Sequence, residues 1–519
     1  IGDRLGLDRI ARLLDRLGGT VVRIEVAPSA LATLPGQVLA YQVATLVARL
    51  FDRVEVVGDE ALPVHQHFRI LGGAFVPALR AVLPTLRPVT AEPESGRVIR
   101  IVVGDGAVAD TAPAIFVGAV DWVALLSTSA PQPVCEGINP SGALAAGALA
   151  AAEAFKLVFD GRIAGAMRAT EINLSVLTYS PILGEALWHQ PALPERVEVD
   201  AALVGCGSVG CAFLLGMLLA PSLAGRLATI DNGTFDTRNP YKYALLDWAA
   251  AQKGLLKAVW GREQLVARAA GALQARAFVG TAYEYVASLA LDYRIPIAVS
   301  AVDTMEARLE IQDMLPGTIV NAGISGTLVE VSSHGFGEGP CLGCLMMRQS
   351  MESWNAEPIA TRTGLRPERV RELIQTNAGL TRQDVNDIIA AGKIPMELIL
   401  ELDGYVGQPL LSFLNRMPYA EASVTAAQTG VRAHVTTAFV SAYAGALLFA
   451  EFIKAAVPAL AEHRVNNSYR QELLGIPADG LFRYDRDPEG WCGCYSPFRL
   501  LVHAQRYGDK REAARLPAA

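Results

Sequence analysis

The chain has 519 residues, 51% of them hydrophobic, with a net charge of −7 and a pI near 5.7. That length and apolar content suffice for two or more domains with buried cores and exclude a disordered chain. The acidic balance, with no basic block and no aromatic–basic interleaving, excludes a general nucleic-acid surface but leaves a small acidic protein partner open.

The opening Ile1-Gly-Asp-Arg lacks the basic and apolar regions of a secretory signal. Seven cysteines, an odd number with two close pairs, suit a reducing compartment and a metal rather than a disulfide framework, so the expected localisation is cytoplasmic. The run Thr20-Val-Val-Arg-Ile-Glu-Val26 predicts a strand, followed by a helix near Gln37–Leu50 and a second strand from Arg53 to Asp59. This is a β-α-β unit, the building block of a helix-covered parallel sheet. The turn after Val26 is Ala-Pro-Ser-Ala-Leu-Ala-Thr-Leu-Pro, which carries no glycines with which to cradle a phosphate. Further on, Gly137-Ile-Asn-Pro-Ser-Gly precedes an alanine-rich helix ending in Glu153-Ala-Phe-Lys156. Residues 166–195, with Pro181, Gly184, Pro191 and Pro194, read as a connector.

The same order then recurs. A strand over Val199–Gly205 leads to a helix over Cys211–Ala220 and a strand over Arg226–Asp231. Residues 351–429 interrupt this second copy with two short amphipathic helices, near Arg366–Gln375 and Thr381–Ala391, and contain neither His nor Cys, as expected of a docking or packing element. The apolar run Val435–Phe452 ends in Glu451-Phe-Ile-Lys454, matching Glu153–Lys156, and reads as a buried helix rather than a membrane span. The predicted architecture is α/β. It comprises two Rossmann-like parallel-sheet domains in an internal pseudodimer, with a small helical insert. The expected divisions are an inactive domain at 1–165, a linker at 166–195, an active domain at 196–350 and 430–519, and the insert at 351–429.

Chemistry concentrates in the second copy. Residues 203–210, Leu-Val-Gly-Cys-Gly-Ser-Val-Gly, join a strand to a helix, so Gly205 can take the tight turn, Gly207 can let backbone approach a phosphate and Gly210 can let the helix pack closely. Asp231 follows Gly210 by 21 residues at a strand end, where a carboxylate can accept from a ribose. That much suits NAD and ATP alike. Asn239, Lys242 and Lys253 supply donors for a triphosphate that a dinucleotide does not need. Asp303, after the strand-like Pro296–Val302, can organise Mg²⁺ on phosphate oxygens. Only seven of the 45 basic residues are lysines, in step with GC-rich coding, yet Lys242, Lys253 and Lys257 all fall in residues 242–257. Cys341-x-x-Cys344 and Cys492-x-Cys494 offer four thiolates for a closed tetrahedral Zn²⁺ site.

Gly205–Gly210, Asp231, Asn239-Pro-Tyr-Lys242, Lys253, Asp303 with Arg308, and Cys341-Leu-Gly-Cys344 together resemble the ThiF/MoeB-type activating enzymes of ubiquitin-like proteins. The resemblance covers residues 196–350 and 425–456 by motif and residues 1–165 by pattern. It implies ThiF-type domains, the first a fused inactive adenylation domain. It further implies MgATP-dependent adenylation of the C-terminal glycine of a ubiquitin-like protein, release of pyrophosphate and hand-over to a conjugating enzyme. Under it Gly205, Gly207 and Gly210 hold phosphates, Asp231 the ribose, Asn239 and Lys253 phosphate, Asp303 Mg²⁺, and the four cysteines zinc. Lys242 stands where the family has Arg, replacing a planar fork by a point charge. Lys257 is a rival for Lys253, and Arg9 or Arg12 stands for an arginine that reaches the site from the partner domain.

The position of the family's thioester cysteine, four residues before Gly430, is Ala426. Cys135 is a weaker covalent acceptor, Thr425 or Ser423 would need a base, and Cys206 and Cys211 read as packing residues. Direct hand-over of the adenylate is therefore the simplest expectation, with no nucleic acid, no membrane and a further homodimer as an option. The open alternatives are a peptide adenylyltransferase or sulfur-carrier activator of the same superfamily, an NAD-binding oxidoreductase, and a non-catalytic scaffold binding through the insert.

Overall fold

The computed structural model describes residues 17, 19–88, 97–106, 113–159, 163, 166–221, 223–268, 272–336, 339–346, 359–360, 363–376, 378–392, 402–410, 413, 422–425, 432–435, 437–465, 467–477, 480–488, 490 and 492–508. In the first sheet, β1 (Thr20–Val26), β2 (Arg53–Val57), β3 (Arg97–Val103), β4 (Ala114–Val120), β5 (Val123–Ser127), β6 (Glu171–Ser175) and β7 (Ser180–Pro181) are ordered β2-β1-β3-β4-β5-β6-β7. The first four are parallel and the remainder antiparallel. Helix α1 (Leu34–Val47) follows β1 and helix α2 (Ser141–Phe159) follows β5.

The second sheet is built from β8 (Val197–Val204), β9 (Leu223–Ile230), β10 (Leu273–Phe278), β11 (Ile297–Ser300), β12 (Thr318–Ser325), β13 (Leu328–Gly335), β16 (Asn467–Glu472) and β17 (Leu481–Phe482). Its order, β10-β9-β8-β11-β12-β13-β16-β17, repeats that of the first sheet once the edge strand β10 is set aside. The change from parallel to antiparallel comes after the fourth shared strand in both. Helix α3 (Ser208–Leu219) follows β8, and helix α4 (Ala438–Ala456) lies between β13 and β16. Both sheets are thus mixed α/β, with parallel strands at the end where α1 and α3 begin.

The four helices lie between the sheets. α1, α2 and α4 are apolar on nearly every side and almost wholly buried, as expected of helices with core on all faces. α1 packs on α2, α2 on α4 and α4 on α3. Small residues bring the paired helices close: a Cβ on Gly147 would lie 2.6 Å from Gln42 Cγ of α1, and one on Gly445 would lie 2.3 Å from Ala212 Cβ of α3. α2 and α4 have the length and apolarity to cross a membrane, and both are buried within the protein.

Each of α2 and α4 ends in a buried ion pair, Glu153–Lys156 and Glu451–Lys454. Desolvating such pairs is costly, and the surrounding hydrogen bonds offset it. Lys156 donates to Met167 O at 3.0 Å and to Gly475 O, beyond β16, at 3.1 Å. Lys454 donates to Leu177 O, beyond β6, at 2.9 Å and to Val176 O at 3.3 Å. Each lysine therefore reaches a carbonyl attached to the other sheet. Glu451 also accepts from Tyr179 Oη at 2.7 Å and from Val465 N at 3.0 Å.

Two boundaries differ from the sequence reading. The helix after the glycine loop begins at Ser208 rather than Cys211, because the loop needs only three residues to turn. The stretch read as a connector contributes β6 and β7 to the first sheet, so that its proline-rich composition hides strand pairing to β5. The insert contains the two expected helices, Pro367–Thr376 and Arg382–Ala391. They have a core of their own that includes Val370, Leu373, Val385, Ile388 and Phe413. Thr381 and Asp384 form a capping box, and Arg369 grips Asp384 with two hydrogen bonds of 2.8 and 2.7 Å. A hairpin of β14 (Ala422–Thr425) and β15 (Arg432–Val435) follows. Ala426 and Gly430 lie outside the described residues, as do Arg9 and Arg12.

Candidate nucleotide site and cysteine cluster

The parallel end of the second sheet forms the candidate site. Gly205 leaves β8 with φ +92°, a conformation that side chains disfavour, and a Cβ there would lie 2.5 Å from Ala301 O. A Cβ on Gly210 would lie 2.0 Å from Gly205 O, so the first turn of α3 can rest on the loop only without a side chain. Gly207 differs: a Cβ there would find only Tyr243 Oη within 4 Å, at 3.9 Å. The loop is tight against β11 on one side and open above Gly207, where the N–H groups of α3 begin. That is the geometry of an anion cradle at a helix N-terminus.

Asp231, just past β9, braces this loop. Its carboxylate accepts from Cys206 N at 2.7 Å through one oxygen and from Gly233 N at 2.7 Å through the other. Lys257, at the start of the helix Lys257–Arg268, lies beside the same turn: a Cβ on Gly233 would stand 3.1 Å from Asp231 Oδ1 and 3.2 Å from Lys257 Nζ. Lys253, by contrast, is exposed at the C-cap of the helix Trp248–Gln252. Of the two rivals, the structure brings Lys257 to the loop.

Asn239 and Lys242 lie on the short turn that leads into Tyr243, whose hydroxyl approaches Gly207. The Asn239 side chain is engaged with Asp236, accepting from Asp236 N at 3.1 Å and donating to Asp236 Oδ1 at 3.1 Å. Lys242, at the end of this turn, is half-buried. Asp303, exposed beyond β11, stands at the same sheet end, three residues past Ser300. Arg308 behind it donates to Asn321 Oδ1 at 3.1 Å, which fixes the start of the helix Met305–Asp313 against β12.

A group from the first half completes this region. Arg49, just past α1 and only 2% exposed, donates to the carbonyls of Pro240, Ala244 (3.2 Å) and Leu246 (2.9 Å). Burial draws its pKa down to about 10, so it stays cationic at neutral pH. The segment bearing Asn239 and Lys242 is thus clamped by the other half. No sequence pattern foreshadows this contact, since the partners are nearly two hundred residues apart.

The thiols near the loop are structural. Burial, reinforced by Asp231, raises the Cys206 pKa, and burial raises that of Cys211 to about 11. Cys135 is likewise raised by burial and by Asp121, the opposite of what a thiolate nucleophile needs.

The second site follows β13, beside the helix Met305–Asp313. Cys341, Cys344, Cys492 and Cys494 are buried, with their sulfurs all within 4.8 Å of one another. Sγ separations of 3.8 Å (Cys341–Cys344), 3.3 Å (Cys341–Cys492) and 3.6 Å (Cys344–Cys494) far exceed a disulfide bond. They approach the ~3.8 Å edge of a tetrahedron with Zn–S bonds of about 2.3 Å. Hydrogen bonds from Cys341 and Cys492 hold the Cys344 thiol well below its usual range, and Asp487 N approaches its sulfur at 3.4 Å. Asp487 also accepts from Cys492 N at 2.8 Å, and Arg486 donates to Cys494 O at 3.0 Å. Four converging thiols with cationic and N–H neighbours fit Zn²⁺, and the closed set leaves no coordination position for a substrate.

Residues 21–174 match the family model described as the BilD N-terminal domain. The chain is 28% identical over 509 residues to the uncharacterized protein y4jF of Sinorhizobium fredii (strain NBRC 101917 / NGR234), covering 95% of this chain and 92% of that protein. Among solved structures it is similar to E. coli MccB with ATP (13% identity, TM-score 0.25) and to E. coli MccB with AMPCPP and MccA (14% identity, TM-score 0.25). Both matches cover 47% of this chain and 64% of MccB, so the chain spans less than two thirds of the length of those structures. The family description attaches to the half built on the first sheet, and the half that carries the glycine loop stands on its own geometry.

Proposed function

We propose that the chain is an ATP-dependent adenylyltransferase of the ThiF/MoeB type that activates the C-terminal glycine of a ubiquitin-like protein. The observation that carries this reading is the open cradle above Gly207, braced by Asp231 and flanked by Lys257 and Asp303. The N–H groups at the start of α3 and the Lys257 ammonium hold phosphate oxygens, and Asp231 faces the ribose. Lys257 takes the role that the sequence alone divided between Lys253 and Lys257. Lys242 adds charge, and Asn239 orders the turn through Asp236. Mg²⁺ held by Asp303 would neutralise charge on the departing pyrophosphate.

An oxygen of the glycine carboxylate attacks the α-phosphorus of ATP, the bond to the bridging oxygen breaks, and pyrophosphate leaves with that electron pair. The product is an acyl-adenylate, a mixed anhydride that a nucleophile of a conjugating partner can open. Positioning and electrostatic stabilisation supply the catalysis.

The chain is read as an internal pseudodimer in which residues 1–165 together with β6 and β7 are an inactive adenylation domain, the residues from there to 195 join the halves, and 196–350 with 430–519 are the active domain. The shared strand order of the two sheets and the crossed contacts of Lys156 and Lys454 support that division. The insert at 351–429 is a docking element. The cysteine cluster binds structural zinc, and the protein acts in the cytoplasm.

The test is exchange of labelled pyrophosphate into ATP with Mg²⁺, with and without a small ubiquitin-like protein ending in glycine. Exchange that requires the glycine end is the expected result. Exchange stimulated equally by unrelated peptides would refute the ubiquitin-like substrate, and bound ATP without any exchange would refute adenylation.

A further inference from the structure

Tyr243 is 6% exposed, and its hydroxyl makes no hydrogen bond to the described residues. The ring is buried but the hydroxyl oxygen keeps contact with solvent, so its hydrogen bonds are left to water or to a ligand. Here the hydroxyl points at the cradle, 3.9 Å from the position of a Cβ on Gly207, where nothing else approaches within 4 Å.

The ring is held in place from two sides. Phe235 meets it edge-on at 5.5 Å, and Trp260 meets Phe235 edge-on at 5.2 Å. Its own N–H donates to Asn239 O at 3.1 Å, and the flanking carbonyls of Pro240 and Ala244 are those gripped by Arg49. The hydroxyl therefore cannot swing away to find a protein acceptor. Burial, with Cys211, Asp231, Asp236 and Asp303 nearby, raises its pKa further above the usual tyrosine range, so the group is a donor at every working pH.

We propose that the Tyr243 hydroxyl is a nucleotide ligand, donating to a phosphate oxygen held above Gly207 at the N-terminus of α3. The inference rests on the adenylation reading and adds to it a residue that recognises the phosphates rather than the nucleoside. An O–H···O⁻ bond of this kind is short and charge-assisted, and its donor is already positioned before the ligand arrives.

Tyr243→Phe deletes one oxygen and leaves the ring packing intact. ATP and adenosine are titrated against full-length wild type and Y243F, and the melting temperature of each protein is recorded without nucleotide. The expected result is a Kd for ATP raised about tenfold or more, a Kd for adenosine changed less than about twofold, and a melting temperature unchanged or slightly higher. Equal ATP affinities in the two proteins would overturn the inference. So would parallel weakening of ATP and adenosine, or a lowered melting temperature, since either makes the hydroxyl structural. Failure of the wild type itself to bind ATP would refute the adenylation reading and this inference with it, an outcome distinct from ATP binding that is insensitive to Y243F.

Discussion

Two sheets with the same strand order end their first strands in opposite ways. After β8 the glycines lie on the loop, so Gly205 and Gly210 let backbone meet backbone and the space above Gly207 stays open. After β1, Gly36 lets α1 rest on Ala30 O as Gly210 does for α3, but the loop itself carries alanines and a further glycine lies across from it. A Cβ on Gly104, beyond β3, would stand 2.9 Å from Ala30 Cβ and 3.1 Å from Ala27 Cβ. The methyl groups occupy what is a cradle in the other half. On the proposed reading, only a few side chains separate a phosphate site from its absence, while strand order, interior helices and buried ion pairs stay the same. What the first half gives the second is support: Arg49 on the 240–246 segment, and the carbonyls that receive Lys454.

The largest expected effect breaks the comparison at its loops. Gly205→Ala, with φ +92° and Ala301 O at 2.5 Å, should abolish ATP binding as well as destabilise the fold by about 1–3 kcal/mol from backbone strain. Gly104→Ala, with φ +93°, should cost comparable stability and leave the Kd for ATP unchanged. Calorimetric titration and thermal melting of both variants check the contrast. An ATP site lost on Gly104→Ala would place nucleotide in the first half.

The next effect is on stability. Lys454→Met strands Glu451 in a site with no exposure and should cost about 3–5 kcal/mol. Lys156→Met should cost less, because its pair retains 2–4% side-chain exposure. The double variant Glu451→Gln/Lys454→Met keeps an acceptor for Tyr179 and should recover most of the loss, as read by denaturant unfolding.

The smallest effect concerns the insert, which only the second half carries. Arg369 and the Thr381 cap hold the Asp384 carboxyl down to about 2. A depressed carboxylate stabilises the fold above its unfolded pKa, and that stability is lost as pH falls through the folded value. The stability difference between wild type and Asp384→Asn should therefore be full at neutral pH and vanish between about pH 4 and pH 2. Hydrogen exchange on Arg382–Ala391 measures it. A difference that persists at pH 2 would assign the role to the capping geometry alone.

Much of this was legible in the sequence where the signal is local. The β-α-β order of both halves, the glycine loop, the strand-ending Asp231 and the two insert helices all follow from periodicity and turn chemistry. The Cys-x-x-Cys and Cys-x-Cys pairs announced themselves by spacing, and the fold brings them together across 150 residues. Residues 171–181 were hidden because short antiparallel strands with prolines read like a linker. Lys253 and Lys257 are four residues apart on either side of a helix break, and only the path of the turn decides which one meets Asp231. Arg49 and Tyr243 were invisible for a plainer reason: a clamp from another domain and the direction of one hydroxyl leave no mark on sequence pattern.

The most direct test of the central claim is pyrophosphate–ATP exchange by wild type and Asp303→Ala, with Mg²⁺ and a glycine-ended ubiquitin-like protein. The account predicts exchange by the wild type and a loss of at least about 100-fold in the variant, with its fold intact. Equal exchange by the two proteins would contradict it.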